Sequence, residues 1–493
     1  MRRAGYAARG NTDWLKVIAM SVTTDVAATF PAHDPAGWRQ LPGSYTALDP
    51  SRVAALMAEE WERFASTTPG SAEHAARSSK SLPLGVTSSF QYWDPYPMGV
   101  KSARGAYVTD CDDRQVLDLS MGFGAMLVGH LNPTVVAKVK ESLDDIGTLF
   151  VTPAPISTEV AERFKQRFGL DMLRFTNSGT ESTMYAVRAA RAYTGRKAII
   201  KIEGGYHGGY DGLSVSVKPG VDEIGPADNP TPQVPFDVES GVVHVVAYND
   251  LGQIERMLDA NGKDVACVVI EPVIENLGIV LPDAGYLAGV RALCDAHNVL
   301  LIFDEVKTGL TAGAHGAAAR LGVKPDLITL AKSIGGGLPL AAFGGTEEVM
   351  QVVVDNRMAH FGTYNGNPLC MAAAIAVDEI ATPQALAAAE QVNDNAMEAM
   401  DSIIGEYHLP AHTVGFGVKG AVTWSPTPIR NYRDYKLSTD FAVAELGWLW
   451  GINRGILTPP GMDDQWLVSL AHTDSDMGKW VDAFAELAKE LRA

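Results

Sequence analysis

The sequence predicts an α/β protein organised around a mostly parallel β-sheet. Between about residues 125 and 345, short apolar runs alternate with stretches of helical periodicity. The runs are predominantly apolar, as in strands covered on both faces. Each is separated from the next by enough chain for a helix or a long loop, which a parallel crossover requires. The strand candidates are Ala198–Ile202, Val242–Val246, Val265–Ile270, Val299–Phe303 and Leu327–Leu330.

At 493 residues the chain predicts two or three domains. Residues 20–50 are rich in Pro, Ala and Thr and read as a loose arm; Met20 is an alternative start, with residues 1–19 an upstream extension. Val53, Leu56, Met57, Trp61 and Phe64 have the spacing of an amphipathic helix over residues 51–67. Several aromatics follow in Leu84–Pro97. Past residue 375, long helical patterns run over Gln384–Ile404 and Met477–Leu491.

A formal net charge of -18 with no dense Lys/Arg run speaks against a nucleic-acid partner and reads as solubility. Cys111, Cys267, Cys294 and Cys370 are scattered without a C-x-x-C pair, so neither a metal site nor a disulfide framework is expected, and a reducing, cytoplasmic compartment fits. No run of 18 apolar residues exists, so no membrane span is expected. Met1-Arg2-Arg3 imitates the start of a signal peptide, but Trp14-Leu15-Lys16-Val17-Ile18 is too short and too charged to complete one.

Ligands of open α/β sheets sit beyond the carboxyl ends of the strands. Four apolar runs end there in a polar signature: Ile270-Glu271-Pro272, Phe303-Asp304-Glu305, Leu330-Ala331-Lys332 and Ile202-Glu203-Gly204-Gly205-Tyr206-His207. A lysine set against apolar strands loses its proton more readily and becomes nucleophilic toward an aldehyde; Lys332, followed by Ser333-Ile334-Gly335-Gly336-Gly337, is placed for this. A carboxylate at a buried strand end needs a partner, and a pyridinium N–H would serve Asp304. Ser178 and Glu181 have capping-box spacing at the head of a helix over Glu181–Tyr193. That turn is either a cap alone or, with the Ser178-Gly179-Thr180 amides and hydroxyls, a phosphate cup. Tyr206 can stack on one face of a flat ligand and Val306 press on the other; either is also an ordinary core residue. The turn-rich segment His360-Phe361-Gly362-Thr363-Tyr364-Asn365-Gly366-Asn367-Pro368 offers further hydroxyls before a small-residue helix, Leu369–Glu379.

Taken together, Asn177-Ser178-Gly179-Thr180-Glu181, Gly205-Tyr206-His207-Gly208, Glu271-Pro272-Val273, Phe303-Asp304-Glu305-Val306 and Leu330-Ala331-Lys332-Ser333-Ile334-Gly335-Gly336-Gly337 resemble the class III aminotransferases dependent on pyridoxal 5′-phosphate (PLP). On Thr363-Tyr364-Asn365-Gly366-Asn367-Pro368 and Ser469-Leu470-Ala471-His472-Thr473, the chain is most similar to the branch of glutamate-1-semialdehyde aminomutase and the β-amino-acid aminotransferases. The resemblance covers about residues 80–490. It implies PLP-dependent transferase fold type I. A large PLP-binding domain would span 125–375, a small α+β domain would combine 51–124 with 376–493, and 1–50 would be an extension. It also implies a homodimer with shared active sites and small-molecule amine, amino acid or keto acid substrates. By motif, Lys332 is the Schiff-base lysine and proton shuttle, and Asp304 pairs with the ring nitrogen. Ser178, Gly179 and Thr180 hold the phosphate, joined by Thr363 from the partner subunit. Tyr206 and Val306 sandwich the ring, His207 belongs to the cofactor set, and Glu271 lies near the ring hydroxyl and the substrate.

The sequence departs from the family where a substrate carboxylate is gripped. No arginine lies between Arg77 and Arg104; the corresponding stretch runs through Ser88, Phe90, Gln91, Tyr92 and Trp93, read as the substrate pocket. The late loop Thr458-Pro459-Pro460-Gly461-Met462 has no arginine either, leaving Arg454 and Lys307 as candidate grips. The expected activity is transamination of an amine or amino acid with a keto or aldehyde acceptor, the amino group resting on the cofactor between half-reactions. The alternatives are an aminomutase or epimerase on the same residues, and a non-catalytic binding protein of this fold.

Overall fold

The computed structural model describes residues 44–460 and 465–493. The expected extension therefore lies almost wholly outside the described residues, as do Gly461 and Met462 of the late loop. A helix over Pro50–Thr67 opens the described fold, capped by Asp49. Three antiparallel strands follow, β1 (Val100–Arg104), β2 (Tyr107–Asp110) and β3 (Gln115–Asp118).

The central sheet has seven strands: β4 (Met172–Thr176), β5 (Ala198–Ile202), β6 (Val243–Val246), β7 (Val265–Ile270), β8 (Leu300–Asp304), β9 (Leu327–Leu330) and β10 (Ala341–Gly345). Their spatial order is β4-β10-β9-β8-β7-β5-β6. The run from β9 to β6 is parallel, and β10 is antiparallel to both its neighbours. All five expected strands are present; β6 starts one residue later than expected, and β8 is displaced by one so that Asp304 is its last residue. The expected α/β architecture with a mostly parallel sheet is the one observed.

Two strands were not expected. Asp171 precedes β4 and Arg174 sits exposed within it, which breaks the apolar run. β10 reads Ala-Ala-Phe-Gly-Gly, a poor strand composition. It is buried throughout because it fills the gap between β4 and β9, and a Cβ on Gly345 would stand 1.9 Å from the Asp326 carbonyl oxygen.

The C-terminal part adds β11 (His412–Phe416), β12 (Lys419–Thr423), β13 (Ile456–Leu457) and β14 (Gln465–Leu467). β13 pairs in parallel with β3, so the two ends of the described chain share one sheet. Helix Phe441–Asn453 buries Val443, Leu446, Trp448, Leu449 and Ile452, the pattern of a helix apolar all round. Trp448 and Ile452 pack with Phe64, Met98, Val108 and Val116 in one cluster. Helix Pro368–Ile380 crosses the expected boundary at 375/376 without a break; the chain turns after it, before helix Pro383–Glu406. No single helix among the described residues is long and apolar enough to cross a membrane.

Arg454, a candidate substrate grip in the sequence, is committed to this packing instead. Its guanidinium pairs with Glu60 at 3.3 Å and Glu486 at 3.1 Å and lies over the Trp450 ring. Glu60 is only 2% exposed and needs that cation. Arg454→Met is expected to lower stability by about 3 kcal/mol in denaturant titration while leaving the preference between acidic and neutral substrates where it was.

Candidate active site

Asp304 ends β8 with its carboxylate buried. Oδ1 accepts from the Val306 amide and the Thr329 hydroxyl, both at 3.0 Å, and Oδ2 lies 2.8 Å from His207 Nδ1. These contacts aim the group and hold it in place. Thr329 comes from neighbouring β9; the signal for it was the one polar residue within Leu327–Leu330.

Lys332 lies two residues beyond β9, in a left-handed backbone conformation (φ 51°) that a non-glycine residue adopts at a cost. Desolvation, helped by Lys307 and Lys419 and opposed by Asp304 and Glu271, pulls its ammonium down to about 7. The residue as a whole is half-buried. The result is an amine that is substantially unprotonated near neutrality.

Ser178, Gly179 and Thr180 form the head of a helix running over Gly179–Thr194. Ser178 and Glu181 make the full capping box, so the cap reading holds. It leaves the leading amides of Gly179 and Thr180 without intrahelical acceptors, which is what an anion requires. A Cβ on Gly179 would stand 2.9 Å from Val306, and one on Gly208 2.4 Å from the Thr180 hydroxyl. Those close approaches bring Val306, the 205–209 loop and the helix head together.

That loop leaves β5 and carries Tyr206, 46% exposed, and His207, buried, with no hydrogen-bond partner for its Nε2. Sequence reasoning passed over its anchor. Lys201, fully buried within β5, donates to the carbonyls of Gly205 (2.8 Å), Leu213 (3.2 Å) and Val215 (2.5 Å). Burial pulls its ammonium down to about 7. A lysine inside an otherwise apolar run was the available signal. Glu271 follows β7, buried, and accepts from Asn276 Nδ2 at 2.7 Å and the Glu275 amide at 3.2 Å; burial raises its pKa.

Thr363 is exposed on its loop, which is tied to the helix head by Asn177 Nδ2 donating to Asn365 Oδ1 at 2.9 Å. The expected pocket stretch divides. Phe90 meets the ring of Phe123 edge-on at 5.2 Å, and Phe123 in turn faces the Lys307 ammonium at 6.0 Å. Ser88 and Gln91 close a capping box on each other, and Tyr92 donates to Asp94 at 2.8 Å. Trp93 packs against Trp448 at 5.3 Å, at the edge of the cluster shared by the two chain ends, where apolar burial claims it in place of a pocket wall. Among the described residues no cluster of His, Cys, Asp and Glu could hold a metal.

The arrangement fits a phosphorylated pyridine aldehyde. A desolvated amine stands ready for the carbonyl carbon, a carboxylate for the ring nitrogen, a helix head for the phosphate, and Tyr206 and Val306 for the ring. The aminotransferase class-III family model matches residues 91–431, and the chain belongs to that family of PLP-dependent enzymes. It is 35% identical over 420 residues, 83% of this chain and 97% of the relative, to a glutamate-1-semialdehyde 2,1-aminomutase of Methanocella arvoryzae. The crystal structure of a glutamate-1-semialdehyde aminomutase from Pseudomonas aeruginosa superposes with a TM-score of 0.82 at 27% identity, covering 90% of this chain and all (100%) of that one. An omega-transaminase from Sphaerobacter thermophilus gives 0.80 at 31%, covering 87% and 100%.

The position of Lys332 predicts how the apoprotein takes up PLP. Only the neutral amine attacks a carbonyl, so the rate of covalent capture, followed by ring absorbance, is expected to rise with pH up to about 7 and then level off. A rate that keeps climbing to pH 10 would mean an unperturbed lysine.

Proposed function

We propose that the protein catalyses PLP-dependent transamination between an amine or amino acid and a keto or aldehyde acceptor. The observation that carries the reading is the convergence of Lys332, two residues past β9, and Asp304, on the adjacent end of β8, beside the helix head at Ser178. Bound there, PLP supplies an electrophilic carbonyl carbon and a ring that draws electrons from the substrate carbon. The protein does the rest. Asp304, with Oδ2 steadied by His207 and Oδ1 by Thr329, keeps the ring nitrogen protonated. The Ser178-Gly179-Thr180 turn binds the phosphate, and Tyr206 and Val306 hold the ring between them. The Lys332 amine, at about 7, is suited both to take a proton and to return it.

A homodimer belongs to the same reading, with Thr363 of one copy completing the phosphate site of the other. Phe361, 81% exposed, and Tyr364, 63% exposed, lie on the same segment as Thr363, and an exposed apolar cluster there supports an interface.

The aminomutase reading is supported by relatives that are named glutamate-1-semialdehyde 2,1-aminomutases. The same residues would serve it, with both nitrogen transfers made on one substrate molecule. A screen of amino donors with external keto or aldehyde acceptors separates the two. Transamination predicts that the donor's nitrogen appears on the acceptor; an aminomutase yields an isomer of its substrate with no acceptor added. In the same assay Asp304→Asn is expected to cut turnover by about a thousandfold or more, roughly 4 kcal/mol. A loss of less than about tenfold would remove Asp304 from its assigned role.

A further inference from the structure

We propose that Glu275, Lys419 and Gln465 are positioning residues for Glu271: two strands of the C-terminal sheet clamp the turn whose N–H groups aim the Glu271 carboxylate at the cofactor site. The inference rests on the cofactor placement of the transamination reading and adds the part of the chain that holds it in register.

Glu271 stands just past β7 and is buried. A carboxylate there needs donors. Both come from one turn: Asn276 Nδ2 reaches Oε1 at 2.7 Å, and the Glu275 amide reaches Oε2 at 3.2 Å. One N–H on each oxygen fixes the plane of the group and favours its charged form. Burial pushes the Glu271 pKa up; His207, Lys307 and the Asn276 hydrogen bond pull the other way. The aim of Glu271 is therefore as firm as the turn that holds it.

That turn is fastened from outside. Ile274 and Val280 exchange two backbone hydrogen bonds, at 3.1 and 2.9 Å, and residues 275–279 form the tip between them. Gln465 Nε2 donates to the carbonyls of both Glu275 and Gly278, bridging the two sides of the tip. Lys419 forms a buried ion pair with the Glu275 side chain and donates to the Lys307 carbonyl at 2.8 Å. Lys307, a candidate substrate grip in the sequence, donates from Nζ to the Glu275 carbonyl at 2.5 Å and so belongs to the same clamp.

The pairing of β12 with β14 explains why two distant residues arrive together. Lys419 lies opposite Leu467, and Ala421 opposite Gln465. Residues directly opposite or two apart share one face of a sheet, so Lys419 and Gln465 project to the same side. They stand 144 and 190 residues from Glu275 along the chain. Both are buried, and a buried ammonium or amide is costly without partners, which the turn supplies. Apolar contacts would also pack the tip, but a connected set of hydrogen bonds fixes its direction as well.

Gln465 is uncharged, so replacing it loosens the clamp without altering the charge around Lys332. Burial, Lys307 and Lys419 pull the Lys332 amine down to about 7, and Asp304 and Glu271 oppose them. The Glu271 charge thus raises the pH midpoint at which the apoprotein captures PLP, and Glu271→Gln is expected to lower that midpoint by about half a pH unit or more. Gln465→Leu should lower it by a smaller amount, because a released carboxylate turns away from the amine. In the Glu271→Gln background Gln465→Leu should add nothing, since its effect runs through a charge no longer present. Gln465→Asn, one methylene shorter, repeats the measurement with a polar side chain should the leucine unsettle the fold. A second arm follows hydrogen exchange of the apoprotein in the peptide containing Glu275. Lys419→Met is expected to speed exchange there by about tenfold or more, and Lys419→Arg to restore protection. The inference is overturned by a midpoint that Glu271→Gln or both Gln465 variants leave unmoved, or by a Gln465 effect that persists in full without the Glu271 charge. Unchanged exchange in Lys419→Met would remove Lys419 from the clamp. A wild type whose midpoint responds as expected, yet which transfers no amino group to any acceptor, would contradict the transamination reading alone.

Discussion

The site depends on the cost of holding charge at the carboxyl ends of buried strands. Asp304 terminates β8 where every neighbouring strand residue is buried, and an unpaired carboxylate there would not be tolerated. The fold answers with Thr329 from the next strand and His207 from the loop after β5. His207 is in turn positioned by the buried Lys201, whose ammonium is saturated by three carbonyl oxygens of that loop. Three separate pieces of chain are thereby locked to one carboxylate. The flat, phosphorylated ligand fits because this locking leaves an aimed acceptor, an aromatic face and a helix head around one opening.

The same physics explains Lys332. Its left-handed backbone and lowered basicity are both unfavourable for an isolated residue. Together they present a neutral amine; burial is the main cause, and Lys307 and Lys419 add to it.

Much of this was legible in the sequence because motif and burial coincide. The five parallel strands announce themselves as apolar runs, and Glu271, Asp304 and Lys332 stand just after or at the ends of three of them. β4 and β10 escaped because their burial comes from neighbours rather than from composition: Arg174 interrupts one, and the other ends in two glycines. Lys201 and Thr329 were polar residues inside apolar strands, a signal that was present and unread. The pocket was harder. Phe90 and Trp93 are three residues apart in one aromatic stretch, yet Phe90 meets Phe123 and Trp93 joins the Trp448 cluster. Which of them lines a cavity depends on packing between distant segments, which local pattern does not encode. Arg454 was misread for the same reason, since its partner Glu60 lies almost 400 residues away along the chain.

The central claim is that Lys332, and not one of the buried lysines Lys201, Lys307 and Lys419, is the one that bonds to the cofactor. Borohydride reduction of the PLP-loaded protein followed by peptide mass mapping tests it most directly. The account predicts a single reduced phosphopyridoxyl adduct, on Lys332. An adduct on Lys201, Lys307 or Lys419, with Lys332 unmodified, would contradict it.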